Sequence, residues 1–500
     1  MPHAVPSPPS SDAAYFFSAV AAADIPLVSS ILNEHPDIIH ETQPDHPRRS
    51  ALHLAAETGS IPLVELLIDR GCPWNAADDD YCTAGEIAKQ KGHEELYERL
   101  VDEGVRCELV LRALMDMDVD EDDDEEVDDA VVEDADDAGN EEGSNDVDGD
   151  GHAEVDVSAA AEETTSATTL PLPAIDMTVH GKSIYVNGRR VVIGGSLAAD
   201  KSEAVDKADG GVEMEIEKST GTSLEEYLSR PVSYSHDKDG NERLLDDEGN
   251  PIEMEWERPI MIATAEAILP LPKEGASPTL TGLNIGFGMG MVDTAIQARR
   301  PLNHYICEAH PIVLERMVST GWIDRGTLSE PRTSSTSRPS ARCLVGTWQD
   351  TLSAEGLAKA GVPPNSFDGI FFDTFSEVYE TSLLPLHKSY LPRLLRRPDP
   401  ADPADTGGVY SFFNGLASGN TFFHDVACRV AEADLREAGF EVEWVNVPFA
   451  GPEEVTGDVK GGKEAIGEGE AVKGVWEGTR YAYWRLGGVY RMPLVRWARE

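Results

Sequence analysis

Residues 283–293, LNIGFGMGMVD, decide the fold. A short apolar run enters a glycine-spaced turn and leaves as a helix. Turns of this kind hold phosphates, dinucleotides or adenosyl cofactors. Around it, strand-length apolar runs alternate with helical periodicity. "IMIATAEAIL" (260–269) predicts a helix, and "LNIGF" is the first strand. "HYICEA" (304–309), "ARCLVG" (341–346), "FDGIFFD" (367–373) and "GVYSFFN" (408–414) predict four more, with helices over 311–320 and 421–438. "YAYWRLGGVYRMPLVRW" closes the chain as further strands. This alternation argues for an α/β domain, a mostly parallel sheet with helices on both faces. Pro-, Gly- or Ser-rich stretches starting at Pro331, Arg396 and Gly457 read as loop insertions.

The glycines discriminate between cofactors. A dinucleotide fingerprint needs G-x-G-x-x-G. Here Gly286, Gly288 and Gly290 give G-x-G-x-G, and Met291 stands where close helix packing wants Gly or Ala. No Gly-Lys-Ser/Thr follows, which excludes a P-loop. S-adenosylmethionine remains as a common user of a strand, glycine turn and helix. The second strand delivers Glu308, eighteen residues beyond Gly290, as an acceptor for ribose hydroxyls. NAD enzymes use the same device, so Glu308 alone leaves both cofactors open. After the third strand, Trp348 offers an apolar face and Gln349 a hydrogen-bonding edge to an adenine; a core role is the plain alternative for the indole.

The fourth strand carries Asp373 to the carboxyl end of a central strand, where open parallel sheets bind ligands. Upstream, "MEWERPIM" (254–261) sets Glu257 just before a helix start, with Pro259 near the first position. A carboxylate favoured by the helix dipole is the plain alternative for Glu257. Two carboxylates facing a methyl donor suit a guanidinium, whose planar fork takes carboxylates bidentately. A guanidinium of pKa above about 12 is a poor nucleophile until a carboxylate localises its charge and takes a proton.

Five hundred residues, 40% hydrophobic, predict more than one domain with a sizeable core. No apolar run of about 18 residues suggests a membrane span, and "MPHAVPSPPSSD" does not read as a secretory signal. Six scattered cysteines without CxxC or zinc spacing fit free thiols in a reducing compartment, and no metal is expected. The net charge is −51, much of it between residues 116 and 156, which hold no Lys or Arg. That run reads as a solvated linker whose field repels nucleic acid and attracts basic proteins.

The first hundred residues repeat. "SALHLAAETGS" from Ser50 and "TAGEIAKQKGH" from Thr83 are offset by 33 residues, the ankyrin period. A degenerate copy over 12–44 gives two to three repeats, and His53 reads as a structural residue bonding the turn. Such a stack offers a surface for a protein partner. "KSIYVNGRRVVIGG" (182–195) predicts a hairpin around Asn187-Gly188, and "SLEEYLS" from Ser223 a short capped helix.

In chain order after the repeats, "EWERPIM", "LNIGFGMGMVD", "HYICEAHP", "GTWQD", "FDGIFFDTFSE" and "YSFFNG" resemble the fungal and plant protein arginine N5-methyltransferases. The catalytic domain of that family is similar to guanidinoacetate methyltransferase. The resemblance covers the ankyrin segment and roughly residue 223 to the C-terminus. It implies an α/β, class I S-adenosylmethionine-dependent methyltransferase (Rossmann-like) sheet preceded by an all-α ankyrin segment. The expected domains are repeats over 12–104, an acidic, largely disordered linker over 105–222, and the methyltransferase over 223–500.

The resemblance further implies S-adenosylmethionine as cofactor and monomethylation of the δ nitrogen of arginine in a basic protein, with a ribosomal protein as the target class. By motif position, Phe287, Gly288, Met289, Gly290, Met291, Val292, Glu308, Ala309, His310, Trp348 and Gln349 contact the cofactor. Met261 flanks it and Tyr227 closes over it. Asp373, at the cofactor and substrate end, accepts the proton, and Glu257 binds the guanidino group. The chain departs from the family at Glu253, which stands where a second Met is usual. The alternative is a methyltransferase for a small guanidino compound such as guanidinoacetate. The repeats argue against it, since a metabolite needs no docking module. A monomer in cytoplasm and nucleus is expected, with no direct nucleic-acid or membrane partner.

Overall fold

The structure, a computed structural model, describes residues 11–119, 177–180, 183–186, 189–191, 224–323, 341–374, 379–449 and 474–499. The chain divides into two compact units, one of Met1–Val110 with Ala198–Glu500 and one of Leu111–Leu197. Most of the acidic run, the stretch over 198–222 and the insertions starting at Pro331 and Gly457 lie outside the described residues. Among the described residues no helix is long and apolar enough to cross a membrane.

The first unit opens with three helix pairs: α1 (Ser11–Ala21) with α2 (Ile25–Glu34), α3 (Ala51–Thr58) with α4 (Ile61–Asp69), and α5 (Ala84–Gln90) with α6 (Glu94–Val119), whose residues from Leu111 on fall in the second unit. The expected end of the repeats at residue 104 falls inside α6. Local signals set the helix starts. The Asp24 carboxylate accepts from Leu27 N, and Thr83 with Glu86 forms a capping box. Ala55, Ala56 and Ala88 are fully buried, and their small side chains let neighbouring pairs approach closely. His53 is structural, as its position in the motif predicts. Its Nδ1 lies 2.7 Å from Ser50 Oγ, and its Nε2 donates to Cys82 O at 2.9 Å, tying one repeat to the next.

In the second unit β1 (Met177–His180), β2 (Ser183–Val186) and β3 (Arg189–Val191) form an antiparallel sheet in that order. Val186 pairs with Arg189, so β2 and β3 are the expected hairpin, its two turn residues lying outside the described set.

Back in the first unit, α7 (Leu224–Ser229) leads into an antiparallel meander absent from the sequence reading above: β4 (Val232–His236), β5 (Glu242–Asp246) and β6 (Pro251–Met254). Its turns are built alike. Asp237 accepts from the N–H groups of Asp239 and Asn241, and Asp246 from those of Glu248 and Asn250.

The large sheet alternates as its sequence predicts: α8 (Arg258–Ile268), β7 (Thr281–Ile285), α9 (Met291–Ala298), β8 (Asn303–Glu308), α10 (Pro311–Ser319), β9 (Ala341–Val345), α11 (Trp348–Thr351), α12 (Ala354–Lys359), β10 (Gly369–Phe372), α13 (Leu383–Pro385), α14 (Leu391–Leu394), β11 (Val409–Phe412), α15 (Thr421–Glu437), β12 (Phe440–Pro448) and β13 (Val489–Trp497). The strand order is β12-β13-β11-β10-β7-β8-β9. The five strands from β11 to β9 run parallel, while β13 is antiparallel to both neighbours. From β7 the chain winds outward through β8 to β9, then returns to β10 and winds the other way. The crevice at the carboxyl ends of β7 and β10 is therefore the switch point where such sheets bind ligands. Phe371 points into the cluster under α8 and α9, while Ile370 and Phe372 join the opposite cluster. Both faces of the sheet are thus covered, as parallel strands require.

In the large sheet two elements differ from expectation. β12 is unpredicted, and the closing aromatic stretch yields one strand, β13, rather than several. The repeats are also less free than a docking module would be. Phe422, Val426 and Val430 of α15 are buried in the core of the repeats, beside Trp74 and Tyr97. One surface of the stack is thereby part of the α/β domain's own interior.

Candidate functional site

The site grows from the end of β7. Gly286 N donates to Cys307 O, and Asp373 N donates to Ile285 O, so the turn and the end of β10 are fixed together. Gly286 has φ +97°, and a Cβ there would overlap the Asp373 carbonyl. Only glycine fits both constraints. Beyond the turn, Gly290 caps α9 in left-handed conformation.

Glu308, at the end of β8, is buried and knits the turn to its own strand. Its Oε2 accepts from Phe287 N at 2.9 Å, and its Oε1 accepts from Ala309 N at 2.8 Å and His310 N at 2.6 Å. Burial pushes its carboxyl up, and the three N–H groups pull it back. An ionised carboxylate offers about four lone pairs, so it keeps capacity for a ligand hydroxyl.

His310 caps α10. Its Nδ1 accepts from Ile312 N at 3.2 Å, and its Nε2 donates to Arg230 O at 3.0 Å. These bonds fix the tautomer and hold α7 over the end of β8, where the Tyr227 ring meets the His310 ring edge-on at 5.5 Å. Beneath the turn, Met261, Met291 and Val292 are buried against Phe371, while Phe287 meets Trp322 edge-on. Trp348 is buried, its ring edge-on to Tyr390 at 4.9 Å and Phe372 at 5.9 Å. Next to it, Gln349 Oε1 is buried without a hydrogen-bond partner, an acceptor of the kind an adenine amino group satisfies.

The electrostatics are those of a cation site. Glu257 closes the 3₁₀ turn Glu255–Glu257 and is 2% exposed. One of its oxygens, Oε1, accepts from both Met254 N and the Tyr483 hydroxyl. Its other oxygen is left for a ligand. Burial first, and then repulsion from Asp373, hold its carboxyl well above the ordinary range. Burial pushes half-buried Asp373 up to about 7. A third carboxylate, Glu253 at 7% exposure, belongs to the same group and accepts from Met289 N in the turn. Burial, Asp373 and Glu257 together raise it strongly. Among the described residues, no group of three or more His, Cys, Asp or Glu has the arrangement to hold a metal. An organic cation fits the three acids instead.

The structure brings Glu257, Asp373, Glu308, His310, Tyr227 and the turn to one end of the sheet. Motif reading missed three residues there: Glu253 as a pocket wall, Tyr483, and Tyr234, whose hydroxyl donates to Gly288 O at 2.9 Å. The signal for Tyr234 and Glu253 is the pair of D-x-x-G-N turns, "DKDGN" and "DDEGN", which mark a meander entering the site. Tyr483 has no comparable signal, being separated from every motif by the insertion starting at Gly457.

Comparison with known proteins agrees with this geometry. The family described as ankyrin repeats (3 copies) matches residues 16–110, past the expected end of the repeats. A Neurospora crassa protein named protein arginine N-methyltransferase 2 is 33% identical, the match covering 95% of this chain and 94% of that one. Proteins of the same name from Yarrowia lipolytica and Saccharomyces cerevisiae are 31% and 30% identical, over 86% and 77% of this chain and 78% and 70% of theirs. With ankyrin repeats leading into a mostly parallel sheet whose switch point holds the glycine turn and a group of buried acids, the chain belongs to the protein arginine N-methyltransferase 2 family.

Proposed function

We propose that this arginine methyltransferase uses S-adenosylmethionine to monomethylate the δ (N5) nitrogen of an arginine in a basic protein, with a ribosomal protein as the target class. The observation that supports it most is the convergence of Glu257 and Asp373 beside the glycine turn, with one oxygen of Glu257 already saturated by two donors. The turn from Phe287 to Val292, Glu308 and Gln349 would hold the cofactor, with Tyr227, Met261 and the 308–310 segment around it. When bound, the cofactor supplies an electrophilic methyl group on a sulfonium. The chain's part is to orient the guanidinium and manage its proton. A guanidinium enters and a methylated guanidinium leaves with the same charge, so the reacting nitrogen must lose one proton. Glu257 holds the fork through its unsaturated oxygen, and Asp373, raised toward neutrality, takes the proton.

The net charge of −51 and the stack surface that α15 leaves uncovered suit a basic partner. Free cysteines, three of them buried, fit the cytoplasm and nucleus. We assign the repeats to residues 12–104 with their continuation along α6, and the catalytic domain to 223–500. The test is to incubate the protein with labelled S-adenosylmethionine and basic protein fractions, then hydrolyse. Label in δ-methylarginine is expected. Label confined to ω-methylarginine overturns the choice of nitrogen, and turnover of guanidinoacetate without any of protein overturns the substrate class.

A further inference from the structure

Glu253 lies outside every motif assigned to the cofactor or the substrate, and it is no bystander. It lies on β6, buried, and reaches across the glycine turn to accept the Met289 N–H. Gly288, with φ +53°, has no Cβ, and the Glu253 carboxylate fills the space a Cβ would need. The two ends of the turn are therefore held alike: Glu308 takes the Phe287 N–H and Glu253 the Met289 N–H.

Holding one N–H group does not explain a carboxylate. A neutral amide would do the same without the cost of burying a charge. Nor do the described residues around it supply a counter-ion. Asp373, Glu257 and Asp293 all lie within electrostatic reach of Glu253, and the hydroxyls of Tyr227, Tyr234 and Tyr483 are uncharged. The guanidinium that feels Glu253, Arg258, is held by two hydrogen bonds to Glu255. A buried acid so placed awaits a cation that arrives with a ligand.

We propose that Glu253 binds the amino-acid end of the cofactor, its carboxylate taking the α-ammonium group of S-adenosylmethionine. The inference rests on the cofactor reading above. With the ribose at Glu308, the rest of the molecule runs along the turn toward Glu253, and of the two charges at its far end the ammonium is the one a carboxylate accepts. Burial and its acidic neighbours raise Glu253 in the ligand-free protein, and the arriving ammonium favours its ionised form, so a proton held there leaves to solvent on binding.

Calorimetry on the full chain tests this at neutral pH, in two buffers of different ionisation heat. The probes are S-adenosylhomocysteine, which carries the amino-acid end, and 5′-methylthioadenosine, which lacks it. Wild type should bind S-adenosylhomocysteine with proton release. Glu253→Gln keeps an acceptor for Met289 N–H and loses the charge. It should bind S-adenosylhomocysteine about tenfold more weakly or worse, with less proton release, and 5′-methylthioadenosine unchanged. Wild-type affinity for S-adenosylhomocysteine in the variant overturns the proposal. So does equal weakening of both probes, which would make Glu253 only a prop for the turn. Wild type that binds neither probe overturns the cofactor reading itself, and this inference with it.

Discussion

In the proposed reaction Asp373 and Glu257 divide the work by their surroundings. Asp373 is pushed up to about 7 by burial alone, which suits a base working near neutrality. The sign follows: below that value it carries a proton and cannot accept another. In steady-state kinetics kcat/KM should fall about tenfold per pH unit on the acid side of neutrality. The limb in kcat should lie lower, because a bound guanidinium favours the charged carboxylate. Asp373→Asn should keep cofactor affinity in calorimetry while turnover drops by about 10²–10⁴. An unaltered acid limb in an active Asn variant would exclude Asp373 as the base. The role proposed for Glu257 depends on position, and Tyr483 holds its Oε1. Tyr483→Phe frees that oxygen to turn, so we expect a roughly tenfold higher KM for the arginine substrate with unchanged S-adenosylhomocysteine affinity. Equal KM values in wild type and variant would show that Met254 N–H alone holds the carboxylate.

At the scale of elements, the glycine turn stands on a buried polar network. Asn284 Nδ2 donates to Gly286 O at 2.6 Å and to Asp293 at 2.8 Å; Asp293 lies 2.9 Å from His304 Nε2, and Gln297 Nε2 donates to His304 Nδ1 at 2.7 Å. Such a base tolerates little displacement, so Gly286→Ala should be severe. The new Cβ overlaps the Asp373 carbonyl in a left-handed backbone, a strain of about 1–3 kcal/mol before any clash. A lowered melting temperature together with lost S-adenosylhomocysteine binding is expected, and a variant binding normally would show that the turn is looser than its hydrogen bonds imply. The parallel half of this sheet is legible in the sequence because β7, β8 and β10 are buried on both faces and read as short, mainly apolar runs between turn and helix signals. β12 is not, and the reason is physical. Phe440, Val442 and Trp444 face one apolar cluster, while Val445 and Val447 face another, so the alternation changes face midway. The two carboxylates at strand and helix ends are legible for the same reason as the turn: their motifs are contiguous. Glu253 becomes legible only once the meander pairs β6 with β5 and turns its side chain to Met289.

For the whole molecule, the repeats belong to the architecture of the enzyme. Gly85 leaves room for the Phe422 ring, and a Cβ at Gly104 would lie 2.7 Å from Trp74 and 2.8 Å from Val426. Around this apolar contact, Arg429 pairs with Glu98 and Asp102, and Asp425 takes both the Tyr97 hydroxyl and Arg491 at 2.8 Å. Arg491 belongs to β13, and its carbonyl accepts from Asn414 Nδ2. The neighbouring Tyr490 hydroxyl accepts from Asn414 N and donates to Phe412 O at the end of β11. A continuous set of bonds thus runs from the third repeat to strands beside the site. Phe422→Ala leaves every residue of the pocket in place but empties the centre of the contact, at a cost of about 3–5 kcal/mol. If the repeats and the catalytic sheet melt as one body, calorimetric scans of the full chain should show a single transition moved to lower temperature. Affinity for S-adenosylhomocysteine should fall in the same temperature range. Two transitions in the variant, with cofactor affinity retained above the first, would mean that the stack rests on α15 without supporting it, and that its role is confined to holding the substrate.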